Sequence, residues 1–194
     1  MTIATLLRHV GIDVPRYVTV DGEVILDASI ASTSAVQVAP HRFHGGEDLS
    51  PEREDYSASW WVMDPSAKEA DRAAMSQAFP HFYCLDEGGD YAYAGTINTG
   101  RGKFKVLVLP QVDKSLPSVF PARGLRLGRN AGRRFVESPH LYLSGALCVA
   151  DRTDWDSRRH STATAVAWAA HWFCAYTEWR ITGRWPTDGY GQAA

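Results

Sequence analysis

The stretch from residue 161 to residue 182 places the strongest constraint on the fold of this chain. It predicts one long helix, because Gly183 follows it as a stop signal and Pro186 comes shortly beyond. Its middle, residues 163–176, is apolar nearly all round, which is typical of a buried helix. The large aromatic residues at near-helical spacing are Trp168, Trp172, Tyr176 and Trp179. That spacing favours a core stripe over a binding surface.

Composition narrows the class of protein. The chain has 194 residues, enough for one sizeable core, and its 45% apolar share is ordinary for a soluble globular protein. A formal net charge of −2 gives no global electrostatic case for a nucleic-acid partner. No apolar run approaches membrane-spanning length, and the first residues lack a secretory pattern. Three widely spaced cysteines suggest no disulfide framework, so we predict a cytoplasmic protein with reduced thiols.

A second helix is predicted ahead of the strands. It can begin with Asp64 as the cap and Pro65 in the first helical position, or with Ser66 and Glu69 as a capping box. It ends before Pro80, because the residue preceding a proline avoids the helical conformation.

Strands follow this helix. Three are predicted, at residues 81–86, 91–97 and 103–109, with glycine-rich turns between them. Residues 124–127 add a short fourth strand to this antiparallel meander. The order of helix, meander, loop and helix predicts the α+β class.

Residues 1–62 differ in composition from the rest of the chain. We predict that they form an N-terminal extension, ahead of a catalytic domain at residues 63–194. The extension is predicted to contain a helix, a hairpin and a polar linker, at residues 5–10, 17–26 and 32–56. The hairpin is indicated by Asp21-Gly22, a pair that suits a turn with positive φ.

Cys148 most directly suggests a chemistry. It follows a small loop closed by a glycine, and a polar, arginine-rich segment comes after it. This setting favours an exposed nucleophilic thiol that carries an acyl group, because exposure and nearby positive charge promote the thiolate. The residues that would supply the charge are Arg152, Arg158, Arg159 and His160. The alternatives are an ordinary buried cysteine and a solvated arginine surface.

The same loop resembles the active-site region of ubiquitin-conjugating enzymes. That family has a His-Pro-Asn motif before its cysteine, a glycine three residues before it and a tryptophan after it. The matching, supporting residues here are Pro139, Gly145 and Trp155. Two positions depart from the pattern, since Ser138 replaces the histidine and His140 replaces the asparagine. The resemblance implies a ubiquitin-conjugating-enzyme-like fold: a helix, a four-stranded antiparallel meander, an active-site loop and a C-terminal helix.

The chain more closely resembles bacterial relatives of these enzymes found in anti-phage operons, above all CBASS systems. The likeness lies in Pro-His-Leu-Tyr at residues 139–142, Gly-Ala-Leu-Cys at residues 145–148 and a tryptophan-rich tail at residues 168–185. It implies a transferase whose cysteine takes the C-terminal glycine of a protein as a thioester and delivers it to a lysine. The protein whose C-terminal glycine is taken would be a cyclic-nucleotide synthase encoded beside it.

The resemblance also implies roles for the neighbours of Cys148. His140 would donate a hydrogen bond to the oxyanion or shuttle a proton, or else would only brace the loop. Trp155 would pack over the loop and fix the position of the cysteine. Asp154, like Asp151, would orient or deprotonate the incoming lysine, the alternative for each being a surface charge or a helix cap.

No cofactor is predicted. His9, His41 and His44 have a spacing too weak for a zinc site. Cys84 and Cys174 are predicted to be structural. The chain carries no Walker-type phosphate loop, so a separate activating enzyme would perform any adenylation.

Other functions and partners stay open at this point. The acyl donor would be a protein with a C-terminal glycine, either the synthase or a ubiquitin-like protein of another type of bacterial operon. The chain would alternatively be a non-catalytic binding module of the same fold, or an unrelated cysteine hydrolase with His140 or His160 as its base. The five arginines between residues 123 and 134 would bind an acidic tail of a partner or form a solvated loop. No nucleic acid or membrane is predicted as a partner.

Overall fold

The computed structural model describes residues 14–26, 35–43 and 58–190. This part of the chain contains three α-helices and several antiparallel sheets, an arrangement compatible with the predicted α+β class. The helices are α1 (Trp60–Met63), α2 (Pro65–Ala78) and α3 (Thr162–Thr182). The helix predicted at residues 5–10 lies outside the described residues. None of the described helices has the length and apolarity needed to cross a membrane.

The strands fall into four sheets. In chain order they are β1 (Tyr17–Val18), β2 (Val24–Ile25), β3 (Val36–Gln37), β4 (His41–Arg42), β5 (Tyr83–Leu85), β6 (Ala92–Asn98), β7 (Lys103–Leu109), β8 (Ser118–Pro121), β9 (Gly128–Ala131), β10 (Arg134–Glu137) and β11 (Gly189–Tyr190). Neighbouring strands pair in the orders β5-β6-β7-β8, β2-β1-β3, β9-β10 and β4-β11. A 3-10 turn at Arg152–Asp154 lies between the cysteine loop and α3.

Helix α2 begins with Asp64 and Pro65, the first of the two predicted starts. Asp64 Oδ1 accepts a hydrogen bond from the backbone N–H of Ala67 at 2.9 Å. Pro65 occupies the first helical turn, where its missing N–H removes no helical bond. The helix ends at Ala78, which confirms the predicted end before Pro80.

The predicted meander forms, but its fourth strand lies elsewhere. Strands β5, β6 and β7 overlap the three predicted strands and pair antiparallel. The fourth strand is β8, which pairs with β7. The prediction of a strand at residues 124–127 is wrong, because Gly124 has φ 86° and Leu125 N–H bonds back to the Ala122 carbonyl in a turn.

Helix α3 is the predicted buried helix. Ser161 caps its start, and Gly183, with φ 76°, ends it. Trp168, Trp172 and Phe173 in its middle are fully buried. The inner face of the meander packs against it, and the Phe104 ring of β7 stacks on Phe173 with ring centroids 4.2 Å apart. The core therefore lies between α3 and the sheet.

The hairpin predicted at residues 17–26 forms with a longer loop than expected. Gly22 N–H donates to the Thr19 carbonyl, and Thr19 N–H donates to the Glu23 carbonyl. This pattern is a three-residue loop, in which Gly22 alone has positive φ, at 99°. The Asp21-Gly22 pair therefore lies within the turn, as predicted, without forming a two-residue turn by itself.

Part of the predicted linker contains strands. Strand β3 joins β1, and β4 pairs with β11 near the other end of the chain. Position 189 requires glycine because a Cβ there would overlap the His41 carbonyl oxygen. Strands of two residues have no periodic pattern, so the sequence did not predict them. The boundary between the extension at residues 1–62 and the domain at residues 63–194 stays a prediction.

Candidate functional site

Residues 141–147 form a short hairpin directly before Cys148. Tyr142 N–H donates to the Ala146 carbonyl at 2.9 Å, and Gly145 N–H donates to the Tyr142 carbonyl at 2.8 Å. Gly145 has φ 85°, a conformation that favours glycine. The loop predicted to close at Gly145 is thus a hairpin of defined backbone geometry.

Cys148 is 1% exposed, which corrects the expectation of an exposed thiol. Its backbone N–H donates to the His140 carbonyl at 2.9 Å. The adjacent Leu147 N–H donates to the carbonyl of Val119 in β8 at 2.8 Å. These bonds hold the segment against the edge of the meander and draw the cysteine into the core.

His140 links the loop to the long helix. Its φ of 57° is uncommon for any residue other than glycine. Its carbonyl accepts two hydrogen bonds, one from Cys148 N–H and one from the Trp172 indole N–H at 3.0 Å. Its imidazole lies against the rings of Trp185 and Phe43, at centroid distances of 4.8 and 5.9 Å. The bracing role is thus visible in the backbone, and the donor role stays a prediction.

Ser138 and Pro139 lead into the loop. Ser138 is buried, and its N–H donates to the Leu127 carbonyl at 3.0 Å. Its hydroxyl donates to the carbonyl of the half-buried Pro139 at 3.0 Å. The serine that departs from the ubiquitin-conjugating pattern therefore fixes the turn ahead of His140.

Trp155 lies between the cysteine loop and the connection from β7 to β8. Its indole N–H donates to the Lys114 carbonyl at 2.9 Å, and its ring meets Trp168 of α3 edge-on at 6.0 Å. Trp155 also lines an open cleft of about 670 Å³ together with Tyr142 and Ser144 of the hairpin. One side of the cysteine loop therefore borders this groove.

The two candidate acids make structural hydrogen bonds. Asp154 Oδ2 accepts from the backbone N–H of Arg42 in β4 at 2.7 Å. Asp151 caps the 3-10 turn, accepting from the Thr153 N–H at 2.9 Å and the Thr153 hydroxyl at 2.8 Å. The cap alternative is therefore observed for Asp151, and Asp154 ties β4 to the segment that follows the cysteine.

The four candidate cations divide between two clefts. Arg152 lines the groove beside Trp155, whereas Arg158, Arg159 and His160 line another cleft of about 270 Å³ at the start of α3. His160 Nδ1 accepts from the Asp156 backbone N–H at 3.1 Å, so that lone pair is occupied. Burial, followed by the charge of Arg159, lowers the pKa of His160. The engaged lone pair disfavours His160 as the base of a hydrolase.

A buried histidine pair joins the N-terminal part of the chain to α3. His41 Nδ1 lies 2.9 Å from the Ala39 carbonyl, so this nitrogen carries the proton. Its Nε2 then accepts from His171 Nδ1 at 3.1 Å. The pKa of His41 is lowered to about 4, chiefly by burial, which the Ala39 hydrogen bond opposes and the Arg16 charge reinforces. In the sequence, the signal that could have indicated this pair is His171, a lone polar residue within an apolar helical run.

Asp71 is a second buried polar centre that sequence analysis missed. Its carboxylate accepts from Thr162 N–H at 2.7 Å, Thr162 hydroxyl at 2.9 Å and Tyr91 hydroxyl at 2.9 Å. It therefore joins α2 to the start of α3 and to the beginning of β6. The available signal was its helical spacing with the buried Met75 and Ala78.

The other candidate metal ligands are only partly covered by the described residues. Among the described residues, no group of three histidine, cysteine, aspartate or glutamate side chains could hold a metal ion. His9 and His44 lie outside those residues. Cys84 and Cys174 are partly buried, and this burial raises the pKa of both thiols.

Comparison with known proteins gives one family. A family model described as "Type II CBASS E2 protein" matches residues 71–192, more than half of the chain. The matched range begins within α2 and contains the meander, the cysteine loop and α3. A comparison with curated proteins and one with solved structures found no match.

Proposed function

This chain belongs to the family of type II CBASS E2 proteins, and from that membership we propose that it is a ubiquitin-conjugating-like acyltransferase of cytoplasmic anti-phage defence. The Cys148 thiolate attacks the carbonyl carbon of an activated C-terminal glycine, expels the activating group and forms a thioester. A lysine amine then attacks the thioester carbonyl, loses a proton and forms an isopeptide bond, which returns the thiol. The donor is the cyclic-nucleotide synthase, and a separate protein supplies the activation.

The observation that supports this most is the backbone at His140. A non-glycine residue in the left-handed region costs about 1–2 kcal/mol, and such strain clusters at functional sites. Here it directs one carbonyl to both Cys148 N–H and the Trp172 indole. We assign the His140 ring as the donor to the oxyanion, in the place where ubiquitin-conjugating enzymes have asparagine.

The remaining parts of the site have supporting roles in this proposal. Pro139 and Gly145 shape the loop, Trp155 packs beside it against Trp168 of α3, and Asp154 fixes the segment that follows. Because Cys148 is buried, we infer that the adjacent hairpin at residues 141–147 moves before an acyl group reaches its sulfur. We infer the full ubiquitin-conjugating-enzyme-like fold for residues 63–194.

One observation favours a second function. The burial of Cys148 fits a binding module of the same fold, in which the thiol is a core side chain. In that case the chain would hold the synthase without modifying it. A ubiquitin-like donor in place of the synthase would leave the chemistry unchanged and alter only the mass of the adduct.

Intact-protein mass spectrometry after co-expression with the operon neighbours tests the proposal. The wild type should carry a protein-sized adduct that a thiol reductant removes, and Cys148→Ser should trap the same mass as a stable ester. Cys174→Ser is the matched control and should retain the labile adduct. If the wild type carries no adduct while Cys148→Ala still binds a neighbour, the binding module is correct and the transferase is wrong.

A further inference from the structure

Residues 121–137 contain the hairpin β9–β10 and the turn before it, and are called the basic arm below. The arginines of the basic arm are Arg123, Arg126, Arg129, Arg133 and Arg134. Its only acidic residue is Glu137, so its net charge is +4 in a chain whose formal net charge is −2. The basic arm therefore concentrates positive charge in a molecule whose remaining residues have a net negative charge.

The base of the basic arm is fixed to α3. The Tyr176 hydroxyl accepts from Gly128 N–H at 3.1 Å and donates to the Gly128 carbonyl at 3.2 Å. The Arg129 guanidinium lies over the Trp179 ring, 5.5 Å from its centroid. At the far end, Gly132 with φ 64° makes a two-residue turn, and residues 130–137 are exposed. An anchored base with an exposed tip presents charge at a constant position.

Most arginines of the basic arm do not stabilise the fold through an ion pair or hydrogen bond among the described residues. Arg126 pairs with Glu137 at 3.3 Å and lies over the Phe135 ring at 4.4 Å. Within the described residues, the exposed side chains of Arg123, Arg133 and Arg134 make no ion pair or hydrogen bond. Exposed like charges repel, so their concentration on a narrow hairpin indicates a surface that a negative partner neutralises.

Apolar groups lie among these charges. The exposed fractions of Leu125, Phe135 and Val136 are 43%, 40% and 40%. Arginine next to exposed aromatic and aliphatic side chains is typical of protein interfaces, whereas nucleic-acid surfaces contact phosphates chiefly through basic and polar groups. The basic arm also borders the cysteine loop, across a cleft of about 440 Å³ lined by Arg123, Arg126 and Leu143, which is 96% exposed at the hairpin tip.

We propose that the basic arm docks an acidic surface of the protein acyl donor and brings its C-terminal segment along this cleft to the loop before Cys148. The proposal rests on the proposed function for the identity of the partner. The charges set the rate and orientation of encounter, and the apolar groups provide the dry centre of the contact. Arg129 belongs to the anchor of the arm, and Arg123, Arg133 and Arg134 belong to its contact surface.

The test measures binding of the purified cyclic-nucleotide synthase of the same operon to the full chain. The variant is Arg133→Glu with Arg134→Glu, at the exposed tip. The matched control is Lys103→Glu with Lys105→Glu, which places the same charge change on the exposed face of β7. Circular dichroism and the melting temperature check that both variants fold.

We expect the arm variant to weaken synthase binding about tenfold at about 50 mM salt, mainly through kon, and much less at about 300 mM salt. The control pair should bind like the wild type. The proposal is overturned if both variants weaken synthase binding equally, or if neither weakens it. It is also overturned if the wild type does not bind the synthase. Binding of an about 30-base-pair DNA duplex in preference to the synthase would likewise overturn it.

Thioester formation, followed in the same samples, separates this proposal from the proposed function. If the wild type forms no thioester but the arm variant still weakens synthase binding, docking is supported and the transferase fails. If wild type and arm variant form thioester at equal rates over a range of donor concentrations, the transferase stands and docking fails.

Discussion

Cys148 is bonded through its backbone to His140, the residue with the strained φ, and its side chain is almost completely buried. Thiol reactivity needs both access and thiolate, so the free protein should protect this sulfur. We predict that iodoacetamide modifies Cys84 and Cys174, which are partly exposed, before Cys148. Peptide mass spectrometry over a time course resolves the three sites. Faster modification of Cys148 than of the other two would contradict the burial seen here.

The partner should change this order of reactivity. If docking of the acyl donor moves the hairpin at residues 141–147, adding the donor will accelerate modification of Cys148 and leave Cys84 unchanged. A double variant, Cys84→Ser with Cys174→Ser, provides a single-thiol protein for the same measurement. Equal acceleration at every cysteine would indicate general loosening of the fold.

His140 allows the backbone and the ring to be tested separately. His140→Gly and His140→Ala both remove the imidazole, but only glycine relieves the left-handed strain, so the glycine variant should be about 1 kcal/mol more stable than the alanine variant. Urea denaturation measures this difference. Equal stability of the two would mean that the φ of 57° carries no strain.

The same position tests the oxyanion assignment. Asparagine tolerates the left-handed conformation and supplies an amide donor. We predict that His140→Asn discharges its thioester to lysine faster than His140→Ala in single turnover, with unchanged synthase affinity. If both variants discharge at the wild-type rate, His140 acts only as a brace.

At the scale of elements, Asp71 is the junction between α2, the meander and α3. Asp71→Ala leaves the Thr162 N–H and Tyr91 hydroxyl without their acceptor, and should lower the free energy of unfolding by about 3 kcal/mol. Glu69→Ala, two residues away and exposed, is the control and should change it by less than about 0.5 kcal/mol. Denaturant titration measures both, and equal effects would mean that the junction is dispensable.

Elements defined by local signals could be predicted from the sequence. Helix α2 has its cap and proline at its start, and α3 has Gly183 at its end, so each boundary is encoded within a few residues. Strand β8 has no such signal, because it is short and ends in Pro121. Strand β4 is defined only by its distant partner β11, a contact that no local pattern contains.

At the scale of the whole molecule, the histidine pair makes stability depend on pH. His41 has a folded pKa of about 4 against an ordinary value of 6.5, so between these values only the unfolded chain takes up a proton at this site. The free energy of unfolding therefore keeps this contribution above pH 6.5 and loses it as the pH falls toward 4, by at most about 1.4 kcal/mol per pH unit.

Urea denaturation at several pH values checks this dependence. His41→Phe removes the titrating ring while its partner His171 and the nearby Arg16 remain. The variant should show a shallower loss of stability between pH 6.5 and 4 than the wild type. Identical slopes would assign the loss to other groups.

The loop before Cys148 was predictable from local sequence, and the contacts that loop makes across the fold were not. The order of Pro139, Gly145 and Cys148 along the chain is a local property, and the predicted loop closes at Gly145, although its hairpin form was not predicted. The burial of Cys148 depends on β8 and on the His140 carbonyl, contacts made across the fold. Likewise, Arg152 and Arg158 are neighbours in sequence but line different clefts, because the chain turns between them.

Two turns of this protein have the same backbone hydrogen-bond pattern. The turn at residues 19–23 and the turn at residues 142–146 have the same pair of hydrogen bonds, and each has a single glycine at positive φ. Only the glycine of each turn has a positive φ, so the other two loop positions do not require glycine. Replacing Leu143 by valine and Ser144 by aspartate, the residues found at positions 20 and 21, should preserve the turn beside Cys148. The replacement would change only the side chains that the turn presents. Substitutions at residues 143 and 144 can therefore change the surface beside Cys148 without a change in the backbone of the turn.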